Sequence, residues 1–213
     1  MGKFTQIPQN TFETLQIEAG VIAREFNPDT AELDKENIIC ATTGGITVAA
    51  TPTFSDYGSD VDNCPNNMME LKHLDSWEVS IQFTSLGTSP ELLAMALGCA
   101  DVNGNKVTPR ASLKQSDFKS IWWVGDKANG GMVAAHLFNA LSTSGLSLKT
   151  TKAGKGQISV TMTGHVSIDA QDVVPIEFYS ADPPVEGGAA SVAAYTGGNE
   201  YKENEEESDE EIA

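Results

Sequence analysis

Apolar and polar positions alternate along much of this chain with a period of two, the spacing of a strand and not of a helix. The clearest case is Trp77-Glu78-Val79-Ser80-Ile81-Gln82-Phe83-Thr84, where large apolar side chains take every second place and polar ones fill the gaps. Such a segment keeps one face in a core and the other in water, so Trp77, Val79, Ile81 and Phe83 are expected inside. Val160, Met162, Gly164, Val166 and Ile168 alternate in the same way with Thr161, Thr163, His165, Ser167 and Asp169. Further strand patterns run near 12–22, 38–43, 46–53, 121–124, 132–141, 146–151 and 174–179, and Lys152-Ala153-Gly154-Lys155-Gly156 reads as a hairpin turn. One segment breaks the period. Thr88-Ser89-Pro90-Glu91 has the Ser/Thr-x-x-Glu form of a capping box with proline in the first turn. Leu92, Leu93, Met95, Ala96 and Leu97 follow, and Gly98 stands where a helix end wants a left-handed residue. The pattern predicts one short α-helix over about 89–97, with Thr88, Glu91 and Gly98 as its cap residues. The fold class predicted is mainly β, an antiparallel sandwich or partial barrel.

Two connections interrupt the strands. A long loop over 54–76 carries Asp56, Tyr57, Asp60, Asp62 and Asn63, and is too polar and turn-rich for a core. Loops longer than ~12–15 residues are uncommon unless they have a task. The second runs from Asp101 to Lys119 and contains Asn103-Gly104-Asn105, a tight-turn signal. From 181 the composition shifts to Pro183-Pro184, Gly187-Gly188 and an acidic run. The expected organisation is a folded domain over 1–180, opened by an arm over 1–10, and a flexible acidic C-terminal extension over 181–213.

Charge narrows the function. The 213 residues carry 30 acids against 13 bases, a net −17. Residues 199–213 hold eight acids and one base, so the remainder is acidic without them. Binding to nucleic acid rests on Lys and Arg neutralising phosphates, and Arg24 and Arg110 are the only arginines. Charge therefore argues against a nucleic-acid binder. It does not argue against a surface that nucleic acid must pass without sticking. Cys40, Cys64 and Cys99 are an odd count without close spacing, the pattern of small buried hydrophobes in a reducing compartment. Met1-Gly2-Lys3-Phe4-Thr5-Gln6 shows no charged region followed by an apolar stretch, so no secretion signal is expected, and no apolar run is long enough for a membrane span.

Chemical motifs are sparse. His73, His136 and His165 lie in separate segments, and no close Cys pair exists for zinc. Asp56, Asp60, Asp62 and Glu70 have oxygen ligands at short intervals, but the glycine spacing of a calcium loop is missing. No nucleophile elbow, phosphate loop or dinucleotide fingerprint occurs. The expectation is therefore no enzyme, no metal and no cofactor. A sugar-binding sandwich would need exposed aromatics, for which Trp77, Trp122 and Trp123 are the candidates.

The sequence from Asn66 to Asp101 resembles the major tail tube proteins of phages with long non-contractile tails. Leu15-Gln16-Ile17-Glu18-Ala19-Gly20-Val21-Ile22 resembles the opening strand of that family, and Ile39-Cys40-Ala41-Thr42-Thr43-Gly44-Gly45-Ile46-Thr47-Val48 its next strand pair. Ile121-Trp122-Trp123-Val124-Gly125-Asp126 and Val173-Val174-Pro175-Ile176-Glu177-Phe178-Tyr179 fit the later strands. The similarity covers roughly residues 10–180. It implies a structural virion protein, made in the bacterial host cytoplasm, whose hexameric rings stack into the hollow tail tube that DNA traverses. It also implies partners: further copies of the chain, a tape-measure protein, and tail terminator and initiator proteins. By the same resemblance Asp56, Tyr57, Asp60, Asp62 and Asn63 reach the neighbouring ring. Glu78, Gln82 and Thr161, on wet strand faces without a base, are the residues expected to face the lumen. Tube subunits of contractile tails and of secretion-type injection systems share that fold and are the alternative.

Overall fold

Alternation along the chain becomes a nine-stranded antiparallel sheet, with a separate two-stranded hairpin, in the computed structural model, which describes residues 7–8 and 10–183. The chain divides into two units, Met1–Pro183 and Pro184–Ala213, and the acidic run at 199–213 lies outside the described residues. The strands are β1 Gln16–Ala23, β2 Ile38–Cys40, β3 Thr42–Asp56, β4 Lys72–Ser85, β5 Ala100–Asn103, β6 Lys106–Pro109, β7 Lys119–Lys127, β8 Met132–Ser142, β9 Leu148–Lys149, β10 Gln157–Gly164 and β11 Ile176–Ala181. Among the described residues one α-helix, α1, spans Pro90–Leu97. Neighbouring strands follow the order β2-β1-β7-β8-β10-β4-β3, with β11 also on β8 and β9 also on β10. Only Ala41 separates β2 from β3, the two ends of that path. The sheet therefore curls until its ends meet, and the seam of this partial barrel is the chain itself; the Leu86 amide bonded to the Ala41 carbonyl at 3.0 Å continues the β3–β4 ladder into that corner.

The inward positions are those that alternation marks. Val79, Ile81 and Phe83 on β4 meet Val160 and Met162 on β10, with Ile22, Ile121, Leu137 and Ile158 completing the interior. Leu92 and Ala96 of α1 are buried in the same core, so the helix closes one end of the barrel. Each such side chain contributes about 1.5–3 kcal/mol by leaving water. A second, smaller cluster lies on the outside of β1, β7 and β8. There the segment after β1 folds back, and Phe26 and Leu33 cover Trp122, Met132 and Ala134.

The structure corrects several expectations. The helix begins at Pro90, and its cap is Ser89, whose hydroxyl accepts the Leu92 amide at 3.3 Å; Thr88 is not the cap residue. Glu91 is not part of a capping box, because its carboxylate turns to the Arg24 guanidinium at 2.9 Å. Gly98 holds the C-cap at φ 77, where an added Cβ would stand 2.8 Å from the Ser142 carbonyl oxygen. The long loop is shorter than 54–76, because β3 and β4 stay paired as far as Asp56 opposite Lys72 and leave 57–71 as the connection. Residues 10–14 form a turn and not the start of a strand, with Thr11 Oγ1 bonded to the Pro8 carbonyl. The strand pattern through Ile168 stops at Gly164, and Ile168 is 82% exposed. Asn139, at φ 45, lies inside the partner strand β8; its carbonyl accepts the His165 amide at 3.2 Å and its side-chain amide donates to the His165 carbonyl at 3.1 Å. The Asn103-Gly104-Asn105 turn joins two real strands, β5 and β6.

Candidate interaction surface

Length mismatch between strands creates the most prominent surface feature. β10 pairs with β4 only from Ser80 to Ser85, whereas β3 accompanies β4 down to Lys72. Beyond Val79 the β3–β4 pair therefore leaves the barrel as a two-stranded ribbon. Its side chains keep the strand pattern but lose the core. Phe54 is 53% exposed, Leu74 43% and Trp77 39%. Trp77 is thus not buried with Val79, Ile81 and Phe83, because the barrel ends before it.

The ribbon tip gathers the five residues assigned to a contact loop. Asp56 ends β3, and its carboxylate accepts the amides of Gly58 and Asn67, each at 3.0 Å. Those two hydrogen bonds, with Lys72 nearby, hold its carboxyl below the ordinary range. Tyr57 stacks on His73 at 5.5 Å between ring centroids. Asp60, Asp62 and Asn63 are exposed in the connection, and Asn63 takes φ 61, a left-handed turn that asparagine tolerates. Lys72 Nζ donates to the Asn67 side chain, and Ser55 Oγ to Asp75 across the ribbon, so the tip is internally tied. Among the described residues no three His, Cys, Asp or Glu side chains converge as a metal site.

Glu78, Gln82 and Thr161 share one face. Gln82 stands opposite Thr161 on one side and Thr47 on the other, and Glu78 opposite Thr51. Ser159 and Thr84, and Thr163 and Ser80, form the adjoining rows. In these rows the outward face of β10, β4 and β3 carries small hydroxyls with the Gln82 amide and the Glu78 carboxylate.

A large cavity lies between α1, the β5–β6 hairpin and the Arg110–Ser120 segment. Its polar lining is mostly engaged. Arg110 is clamped by Asp117 and by the Ser112 carbonyl, and its Nε lies 2.9 Å from Asp101 Oδ1 without being aimed at it. At the far side Ser120 Oγ contacts His136 Nε2, and the imidazole stacks on Trp122 at 3.8 Å. Burial lowers the His136 pKa against the opposing pull of Glu177. The Glu177 carboxylate accepts the Tyr179 hydroxyl and makes no bond to the imidazole, so the group that would orient a catalytic histidine is engaged elsewhere. Of the tryptophans, Trp122 is 7% exposed and Trp123 donates to the Ala19 carbonyl, leaving Trp77 as the exposed one.

The polarity of the segment marked it as exposed connection, which the structure shows for Tyr57, Asp60, Asp62 and Asn63. Sequence reasoning missed the exposed apolar row of the ribbon, because alternation alone does not reveal where a strand outruns its neighbours.

Fold and surface together define a mainly β protein: a curled antiparallel sheet with one α-helix among the described residues, a polar outer face on β10, β4 and β3, and a projecting two-stranded ribbon. No protein-family model matches the chain, and no curated protein does. Among solved structures, one from the virion of a native gene transfer agent particle is similar over 76% of this chain and 95% of that chain, at 9% identity and a TM-score of 0.40. Among the described residues no helix is long and apolar enough to cross a membrane.

Proposed function

We propose that this chain is the subunit of a hollow tube of the sheathless phage-tail kind, in which hexameric rings stack and DNA passes along the bore. The observation that carries the reading is the β3–β4 ribbon. It leaves the barrel with both outer backbone edges unpaired among the described residues and with Phe54, Leu74 and Trp77 in water. Unpaired edges are templates for further strands, and closure with neighbouring copies removes them. β11, paired with β8 alone, offers a second such edge. The resemblance between residues 10 and 180 and the tail tube family supports the same reading. So does the hydroxyl-rich face of β10, β4 and β3, because the rows around Gln82 carry no Lys or Arg, Lys149 standing at the border beside Gln157, and so give phosphates little to hold. In this reading Glu78, Gln82 and Thr161 face the lumen, the ribbon tip reaches the next ring, and tape-measure, terminator and initiator proteins are the heterologous partners.

Negative-stain electron microscopy of the purified full chain at rising concentration tests the reading. Six-fold rings or tubes of uniform width are the expected result. A monomer at every concentration, or saturable binding to simple sugars through Trp77, would overturn it.

A further inference from the structure

Charge is divided along the length of β4. The connection 57–71 at its Lys72 end carries Asp60, Asp62 and Glu70 and no base. At the Ser85 end, Ile158 of β10 pairs with Ser85 and also with Leu148 of β9, so the β9–β10 turn projects from that end. Lys149 ends β9 and the turn carries Lys152 and Lys155, all three exposed. From Lys127 to Ile168 the chain has no acid at all, although its net charge is −17. At a rise of ~3.3 Å per residue the two ends of β4 stand about 40 Å apart. That is several times the ~8 Å over which charges act at physiological salt, so within one subunit the clusters do not neutralise each other. Both carry apolar company: Val61 and Met69 are exposed at the acidic tip, Leu146 and Leu148 beside the lysine turn.

We infer that the lysine turn Lys149–Lys155 is the receiving surface for the acidic ribbon tip of a second copy of this chain, stacked head to tail. The pairing rests on the tube reading and deepens it by naming the surface the tip meets. Opposite charges at opposite ends of one element make the contact heterologous, so it propagates along an axis and does not close on itself. Complementary patches also steer the encounter and set which end meets which.

A charge exchange tests the pairing. One variant carries Lys149→Glu, Lys152→Glu and Lys155→Glu; the other carries Asp60→Lys, Asp62→Lys and Glu70→Lys. All six sites are exposed, and circular dichroism checks that each variant folds. Sedimentation then reads the concentration at which polymer appears. Each variant alone should need about tenfold more protein than the native chain, the sum of several exposed ion pairs lost. An equimolar mixture should polymerise again, because every tip then meets a turn of opposite sign. Either folded variant polymerising like the native chain would overturn the pairing while leaving the tube reading intact. So would a mixture that fails to recover. Native polymerisation with loss only of duplex DNA retention in the lysine variant would assign the turn to phosphate instead. A native chain that never polymerises would overturn the tube reading, and the pairing with it.

Discussion

The Ser89 hydroxyl accepts the Leu92 amide and so satisfies one of the free N–H groups at the start of α1. Because Leu92 and Ala96 plug the barrel end, that local bond acts on the whole core. Ser89→Ala is expected to lower stability by about 1 kcal/mol, while Thr88→Ala changes it by only a few tenths. Urea unfolding of the two variants checks this, and equal losses would return the cap to Thr88. His136 sets a pH dependence. Its folded-state pKa is lowered by burial against Trp122, so the unfolded chain takes up the proton first. Stability from this group is fully present above the ordinary value of 6.5 and is lost as the pH falls below it toward the folded value. The native unfolding midpoint should therefore fall through that window, and His136→Gln should flatten the fall. A variant with the native slope would place the titration elsewhere.

At the scale of elements, the ribbon is held by its own ladder and by the barrel at its root, not by a core of its own. Phe54→Ser with Leu74→Ser should leave the monomer's unfolding midpoint nearly unchanged while suppressing polymer. Calorimetry and sedimentation on one preparation would check both; loss of the fold with polymer retained would contradict the assignment. This ribbon also marks how far the sequence is legible. Alternation in Val79, Ile81 and Phe83, and in Val160 and Met162, reports the inward face correctly because both strands have neighbours there. The same alternation through Trp77 and Ile168 misleads, since pairing partners end at Ser80 and Gly164 and burial depends on those partners. The β2–β3 corner at Ala41 that closes the sheet leaves no local trace, because closure is a property of the whole path. That Tyr57, Asp60, Asp62 and Asn63 stand in an exposed polar connection was legible through polarity and turn chemistry, whereas the distance between the lysine turn and the acidic tip shows only once β4 separates them.

For the molecule as a whole, net charge opposes self-association. The segment 199–213 holds eight acids and one base, so its removal takes away a large share of the −17. Deleting it should lower the concentration at which polymer forms at low salt, with the difference fading as salt screens it. An unchanged polymer fraction in sedimentation would deny the segment that role. The central claim is that this barrel completes its open strand edges with neighbouring copies around a bore that does not hold phosphate. A three-dimensional reconstruction of the polymer by electron cryomicroscopy tests it most directly. The account predicts a six-fold tube whose inner wall is the β10, β4 and β3 face bearing Glu78, Gln82 and Thr161. A polymer with that face outward, or with Lys152 and Lys155 lining the bore, would contradict it.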